Sequence, residues 1–251
     1  MHVKPQLIMA VKILGINFYN GKTKSVFNIL NENGGLMTVP AAPALVTITE
    51  DKDYYDALLK SDLVIPDSGY MVLIWNFFSR QKLNKISGLE FMDYFINHSN
   101  EIKETKLLLV NPNDEEGKIN KEYLITKGFL AENIENYSAP FYKKDVKDEK
   151  LLTLCETLKP KWIMTNIGGG TQEKLGLFLK ENLSFQPAII CTGAAISFKT
   201  GSQAKIPLWV DKIHLGWLSR CIYNPKSFIP RYLKGFKLIQ LILKYKGEKI
   251  Q

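Results

Sequence analysis

Cysteine is scarce. Three cysteines, Cys155, Cys191 and Cys221, stand far apart in 251 residues, with no Cys-x-x-Cys pair and no histidine beside them. That argues against a disulfide framework or a zinc site and fits a reducing compartment. Long apolar runs are missing too. Residues 7–11 are hydrophobic but lie between Pro5 and Lys12, too short for a signal-peptide core or a membrane span, so no targeting segment is expected. The glycine run at 168–170 continues into neither a Gly-x-Gly-x-x-Gly spacing nor a Gly-Lys-Ser/Thr ending, so it matches neither the dinucleotide fingerprint nor the P-loop. There is no internal repeat or low-complexity linker. Acidic residues are nearly absent from the C-terminal part: residues 196–251 hold two, Asp211 and Glu248, against 11 Lys and Arg, a local charge of +9.

The remaining residues balance at −1, with 22 basic and 23 acidic side chains, so the tail accounts for the whole formal charge of +8. Such a tail suits an anionic partner, either phospholipid headgroups or nucleic acid, with a merely solvated face as the alternative. At 45% hydrophobic residues the chain can bury a large core, as one α/β domain or as a domain with an appendage. Apolar runs at 7–18 (interrupted by Gly15), 45–48, 63–65, 106–110, 162–164 and 188–190 read as strands. Residues 51–60, 70–78, 89–98, 115–127, 147–158 and 172–181 read as helices. This alternation predicts an α/β fold, a Rossmann-like, mostly parallel sheet with helices on both faces, in residues 1–195. Residues 196–251 form a basic helical C-terminal appendage in this reading.

Three stretches carry chemistry. In Leu63-Val64-Ile65-Pro66-Asp67-Ser68-Gly69-Tyr70 an apolar run stops at a carboxylate, and in a parallel sheet the carboxyl ends of strands open onto the ligand crevice. Asp67 is thus a catalytic candidate, or an N-cap for the helix beginning near Tyr70. In Thr165-Asn166-Ile167-Gly168-Gly169-Gly170-Thr171-Gln172-Glu173 three glycines between strand and helix can admit a diphosphate at the helix N-terminus, or can simply make the turn. In Cys191-Thr192-Gly193-Ala194-Ala195-Ile196-Ser197 small residues after a strand leave room for a base or sugar, or for close helix packing.

Beyond these, Ile229, Tyr232, Leu233, Phe236, Ile239 and Leu243 share one face of a helix predicted over 229–246, interrupted by Lys234, Lys237, Lys244 and Lys246. A helix lying in a headgroup interface uses such lysines, with Trp209 and Trp217 beside it; a helix docked on the core is the competing reading.

Taken together, Ile13-Leu14-Gly15, Val64-Ile65-Pro66-Asp67, Ile86-Ser87-Gly88-Leu89-Glu90-Phe91-Met92, Gly168 through Gln172-Glu173-Lys174, and Leu215-Gly216-Trp217-Leu218-Ser219-Arg220 with Asn224-Pro225 resemble the TagA/WecG/CpsF glycosyltransferases over most of the chain. The resemblance implies transfer of an N-acetylmannosamine-type sugar, with inversion, from a UDP donor to a lipid-diphosphate-linked sugar in the synthesis of a cell-surface polysaccharide or teichoic acid. It further implies no required metal or other cofactor, a site at the cytoplasmic face of an anionic membrane, peripheral attachment through the tail, and self-association. Nucleic acid is not an expected partner.

Carried over residue by residue, the resemblance makes Asp67 the general base and keeps Thr38 of a Thr-x-Asn pocket whose Asn is lost. A basic residue before Gly88 is Lys85. Gly168, Gly169, Gly170, Thr171, Gln172 and Glu173 would face the nucleotide, with Gly193 and Ser197 nearby, and Lys205, Arg220 and Arg231 would reach the leaving diphosphate. Lys205 replaces an arginine and so loses its bidentate fork; Ser197 and Gly216 replace acids, and Ser68 replaces a glycine. The alternatives are a Rossmann enzyme for a nicotinamide or methyl donor, and a non-catalytic membrane-associated nucleotide-binding protein.

Overall fold

The computed structural model describes residues 9–143, 145–193, 195–201, 221–222 and 225–250. Its centre is one sheet of eight strands: β1 (Ala10–Ile13), β2 (Ile16–Tyr19), β3 (Gly35–Thr38), β4 (Leu63–Val64), β5 (Leu107–Asn111), β6 (Ile134–Ser138), β7 (Trp162–Thr165) and β8 (Ala188–Cys191). Their spatial order is β1-β2-β4-β3-β8-β7-β5-β6. Only β1 and β2 run antiparallel, as a hairpin through Leu14 and Gly15; every other pairing is parallel.

Successive residues of the inner strands face opposite sides, so each side gathers its own core. Met37, Leu109, Met164 and Ile190 pack with α1 (Thr23–Asn33), α5 (Gly88–Asn97), α6 (Asp114–Thr126) and α9 (Ala195–Thr200). Leu36, Leu108, Ile163 and Ile189 pack with α3 (Lys52–Lys60), α7 (Glu149–Leu158) and α8 (Thr171–Asn182). Strands buried on both faces read as continuous apolar runs, which is why β5, β7 and β8 stood out in the sequence.

A third cluster joins β1 and β2 to α2 (Ala42–Leu45), α4 (Gly69–Phe78) and α11 (Phe236–Tyr245). It corrects two expectations. Residues 45–48 are not a strand: Pro43 lies in the first turn of α2, where its fixed φ starts a helix rather than an extended run. Residues 229–246 are not one helix either, but α10 (Pro225–Lys234) and α11, separated at Gly235. Leu238, Leu241 and Ile242 of α11 are buried among Val11, Ile13 and Phe18, so this helix docks on the core while Leu233, Phe236 and Leu243 stay exposed. Backbone bonds tie the end of the chain to its beginning, Leu14 N donating to Lys246 O at 2.6 Å.

Candidate active site

The strand order breaks the sheet into two halves that meet at β3 and β8, where Thr38 is in register with Cys191. In an open parallel sheet, ligands are taken at the carboxyl ends of the strands where the order reverses. Asp67 stands at the end of β4 on one side of that reversal, and the glycine turn after β7 on the other. Three strand spacings separate them, about 14 Å at the usual interstrand distance.

Asp67 does not cap the helix that follows it. Ser68 does, accepting from Met71 N at 3.1 Å. The Asp67 Oδ1 atom instead accepts from Gly88 N at 2.9 Å, across 21 residues, and so holds the start of α5 against the end of β4. Two helix N-termini, of α4 and α5, bring their positive ends to this corner, where a carboxylate or a diphosphate is favoured. Gly88 is closely packed: a Cβ there would lie 3.2 Å from Val39 Cγ1, which would have to give way, and 3.8 Å from Thr192. Ile86 N donates to Pro66 O at 3.3 Å, and half-buried Lys85 therefore enters the same corner by its position in the chain.

The glycine turn is open. A Cβ built on Gly168, Gly169 or Gly170 meets no atom within 4 Å among the described residues, so these glycines are not required by packing against neighbours. Gly170 alone among them needs its residue type for backbone reasons, with φ at +89°. Thr171 opens α8 at the edge of this space.

Gln172 and Glu173, in contrast, are buried and used within the protein. Glu173 Oε2 accepts from Gly170 N at 2.6 Å and its Oε1 from Gln172 Nε2 at 3.1 Å. Gln172 Oε1 accepts from Gly193 N at 2.8 Å, and Gln172 Nε2 donates to Cys191 O at 3.1 Å. The pair staples the turn after β7 to the turn after β8, and these internal bonds occupy both side chains. Burial pushes the Glu173 carboxyl up to about 7, against the lowering effect of its hydrogen bonds from Gln172 and Gly170. Gly193 takes part through its backbone, at φ +56°.

Thr38 is likewise committed elsewhere. It is fully buried, 3.0 Å from the Ser61 hydroxyl at the end of α3, and holds β3 to the α3–β4 connection. Ser197 is buried on α9 with Oγ 3.4 Å from Glu116 Oε2 of α6. Lys205 and Arg220, with Trp209, Gly216 and Trp217, lie outside the described residues. Arg231 belongs to α10, and its side chain lies outside the described residues.

Sequence reasoning missed a group of amides. Asn111 Oδ1 accepts from Asn120 Nδ2 and from Asn166 Nδ2, both at 2.9 Å, and Asn111 Nδ2 donates to Asn136 Oδ1 at 3.2 Å. The Oδ1 atoms of Asn120 and Asn166, and the Thr192 hydroxyl, are buried with no partner among the described residues. A buried polar atom left unpaired costs about 1–3 kcal/mol, and Asn166 and Thr192 directly follow β7 and β8. The only sequence signal was an amide or hydroxyl directly after an apolar run. No three His, Cys, Asp or Glu side chains converge on a metal-sized space among the described residues.

Residues 11–251 match the sequence model described as the glycosyl transferase WecG/TagA/CpsF family. Three relatives are each named N-acetylglucosaminyldiphosphoundecaprenol N-acetyl-beta-D-mannosaminyltransferase. One, from Bacillus subtilis (strain 168), is 25% identical over 192 residues, covering 73% of this chain and 71% of the relative. One from Staphylococcus aureus (strain MRSA252) is 20% identical, covering 86% and 85%. One from Bacillus spizizenii (strain ATCC 23059 / NRRL B-14472 / W23) is 22% identical, covering 81% and 79%. With a match over nearly its whole length, the chain is a glycosyltransferase and belongs to the WecG/TagA/CpsF family.

Proposed function

We propose that this enzyme moves an N-acetylmannosamine-type sugar, with inversion, from UDP to a sugar carried on a lipid diphosphate, in the synthesis of a cell-surface polysaccharide or teichoic acid at an anionic membrane face. The names of the relatives support the substrate pair. The observation that carries the chemistry is Asp67: a carboxylate fixed at the end of β4 by Gly88 N, relieved of capping duty by Ser68.

In this reading the donor's diphosphate lies over the open glycines 168–170, and Asn166 and Thr192 meet its polar groups. The acceptor hydroxyl approaches from the β4 side. As its oxygen attacks the anomeric carbon, its proton passes to Asp67 and the bond from that carbon to the UDP oxygen breaks, the electron pair leaving with UDP. Attack opposite the leaving group inverts the anomeric centre. Lys85, with Lys205, Arg220 and Arg231 of the tail, supplies positive charge for the departing diphosphate.

Among the described residues no helix is long and apolar enough to cross a membrane, so attachment is peripheral in this proposal. A panel of nucleotide sugars with a short-chain lipid-diphosphate acceptor, read by release of free nucleotide, tests it. Turnover with a UDP-hexosamine supports the reading. UDP binding without turnover on any acceptor would make the protein a nucleotide-binding one instead.

A further inference from the structure

Helix α4 begins beside Asp67 and exposes three apolar side chains, Leu73 at mid-helix (49% exposed) and Phe77 (82%) and Phe78 (54%) at its end. Over 10 residues the helix spans about 15 Å. The chain then returns along it. Trp75 Nε1 donates to Gln81 O at 2.8 Å, Asn76 Oδ1 accepts from Leu83 N at 2.8 Å, and Ile86 N reaches Pro66 O. This strap, residues 79–87, runs from the phenylalanines back to the Asp67 corner and carries Arg80, Lys82 and Lys85.

The chain of α4 and its strap carries basic side chains and no acid, while on α11 Lys237 is paired with Glu50 at 2.8 Å. No Asp or Glu occurs from residue 68 to 89, nor from 212 to 247. The second stretch supplies the neighbour of α4, since α11 packs against it and the Tyr70 ring meets Phe236 edge-on at 6.4 Å. Phe236, also exposed, therefore lies by the start of α4, at the other end of the helix from Phe77 and Phe78.

We propose that the C-terminal end of α4 and the strap behind it seat the enzyme on an anionic lipid bilayer. Phe77, Phe78 and Leu73 enter the apolar layer, and Arg80 and Lys82 lie at headgroup level. Aromatic side chains flanked by basic ones, without acids, are what an anionic interface retains. A symmetric second copy fits less well, because a two-fold contact would press this basic rim against itself. The proposal rests on the lipid-linked acceptor of the preceding section and adds to it a place on the core, at the end of α4. One rigid helix then sets the height of the general base above the membrane, and the strap offers the diphosphate a basic path from lipid to site.

The test is co-sedimentation of the full-length protein with vesicles of phosphatidylglycerol and phosphatidylethanolamine in equal amounts. The double variant Phe77→Ser/Phe78→Ser should keep the wild-type melting temperature, since both rings are exposed, and lose roughly tenfold or more in vesicle affinity. Arg80→Glu should lose about fivefold or more at low salt and less at high salt. Phe141→Ser removes a phenylalanine that is 96% exposed beyond β6, at the opposite edge of the sheet, and should bind as the wild type does.

Unchanged binding of the double variant overturns the proposal, as does an equal loss in Phe141→Ser. A lipid-free dimer that the double variant dissolves would overturn it in favour of an interface between copies. Vesicle binding is read without donor or turnover, so failure of the transferase reading would appear in nucleotide release and not here.

Discussion

Replacing Asp67 by Asn leaves an oxygen to accept from Gly88 N, whereas replacing it by Ala removes that bond and frees the start of α5. The pair of variants therefore separates chemistry from positioning. Asp67→Asn should melt near the wild type and lose about 100- to 10,000-fold in nucleotide release. Asp67→Ala should lose the activity and also about 1–3 kcal/mol of stability; equal activity in Asp67→Asn and wild type would return Asp67 to a structural role. Glu173 makes a prediction in pH. Its folded carboxyl titrates near 7 against an ordinary 4.5, so between these values the folded state holds more proton than the unfolded one. Stability must then fall as pH rises through that window, by on the order of 3 kcal/mol, and level off above it. Glu173→Gln keeps an acceptor for Gly170 N and should flatten the dependence in a series of thermal melts at stepped pH. An unchanged slope would mean that the carboxyl titrates normally.

At the scale of elements, the turn after β7 offers a cleaner probe than most glycine sites. Gly170 has a positive φ, so any substitution there strains the backbone; Gly169 has neither that constraint nor a neighbour within 4 Å of an added Cβ. Gly169→Val should leave the melting temperature within about a degree of wild type and weaken UDP binding, measured by calorimetry, by about tenfold or more. The same element scale shows what could be read in advance. β5, β7 and β8 were legible because burial on both faces leaves an unbroken apolar run. β3 was not: its four residues begin at Gly35, after Gly34, and both glycines take positive φ, so a strand looked like a turn. Helix α1 was missed, although Val26, Phe27 and Leu30 make its buried stripe. Of the site, Asp67 was visible as a carboxylate ending a strand. The inward use of Gln172 and Glu173 was hidden, because it depends on Gly193 lying alongside 21 residues away; the Asn111–Asn166 bond spans 55 residues and leaves no local trace.

For the whole molecule, the last described helix belongs to the core that the first strands begin. Leu238, Leu241 and Ile242 of α11 are buried against β1 and β2. Stopping the chain at Gly235 removes three aliphatic side chains from that cluster, a loss on the order of 5 kcal/mol, comparable with the whole stability of an ordinary domain. Such a truncation should fail to give a cooperative melt, rather than yield a folded core lacking only its membrane tail; a sharp unfolding transition would show the tail to be detachable after all. The closure is reinforced beyond α11: Tyr55 donates its hydroxyl to Leu14 O at 2.7 Å and accepts from Ile250 N at 3.1 Å. During synthesis the β1–β2 hairpin is made long before α11, which covers it. The nascent hairpin must wait, with one apolar side uncovered, until that helix has been made. Chaperone occupancy at this hairpin should therefore persist until α11 has emerged from the ribosome, and chains interrupted before α11 should stay chaperone-bound and be degraded.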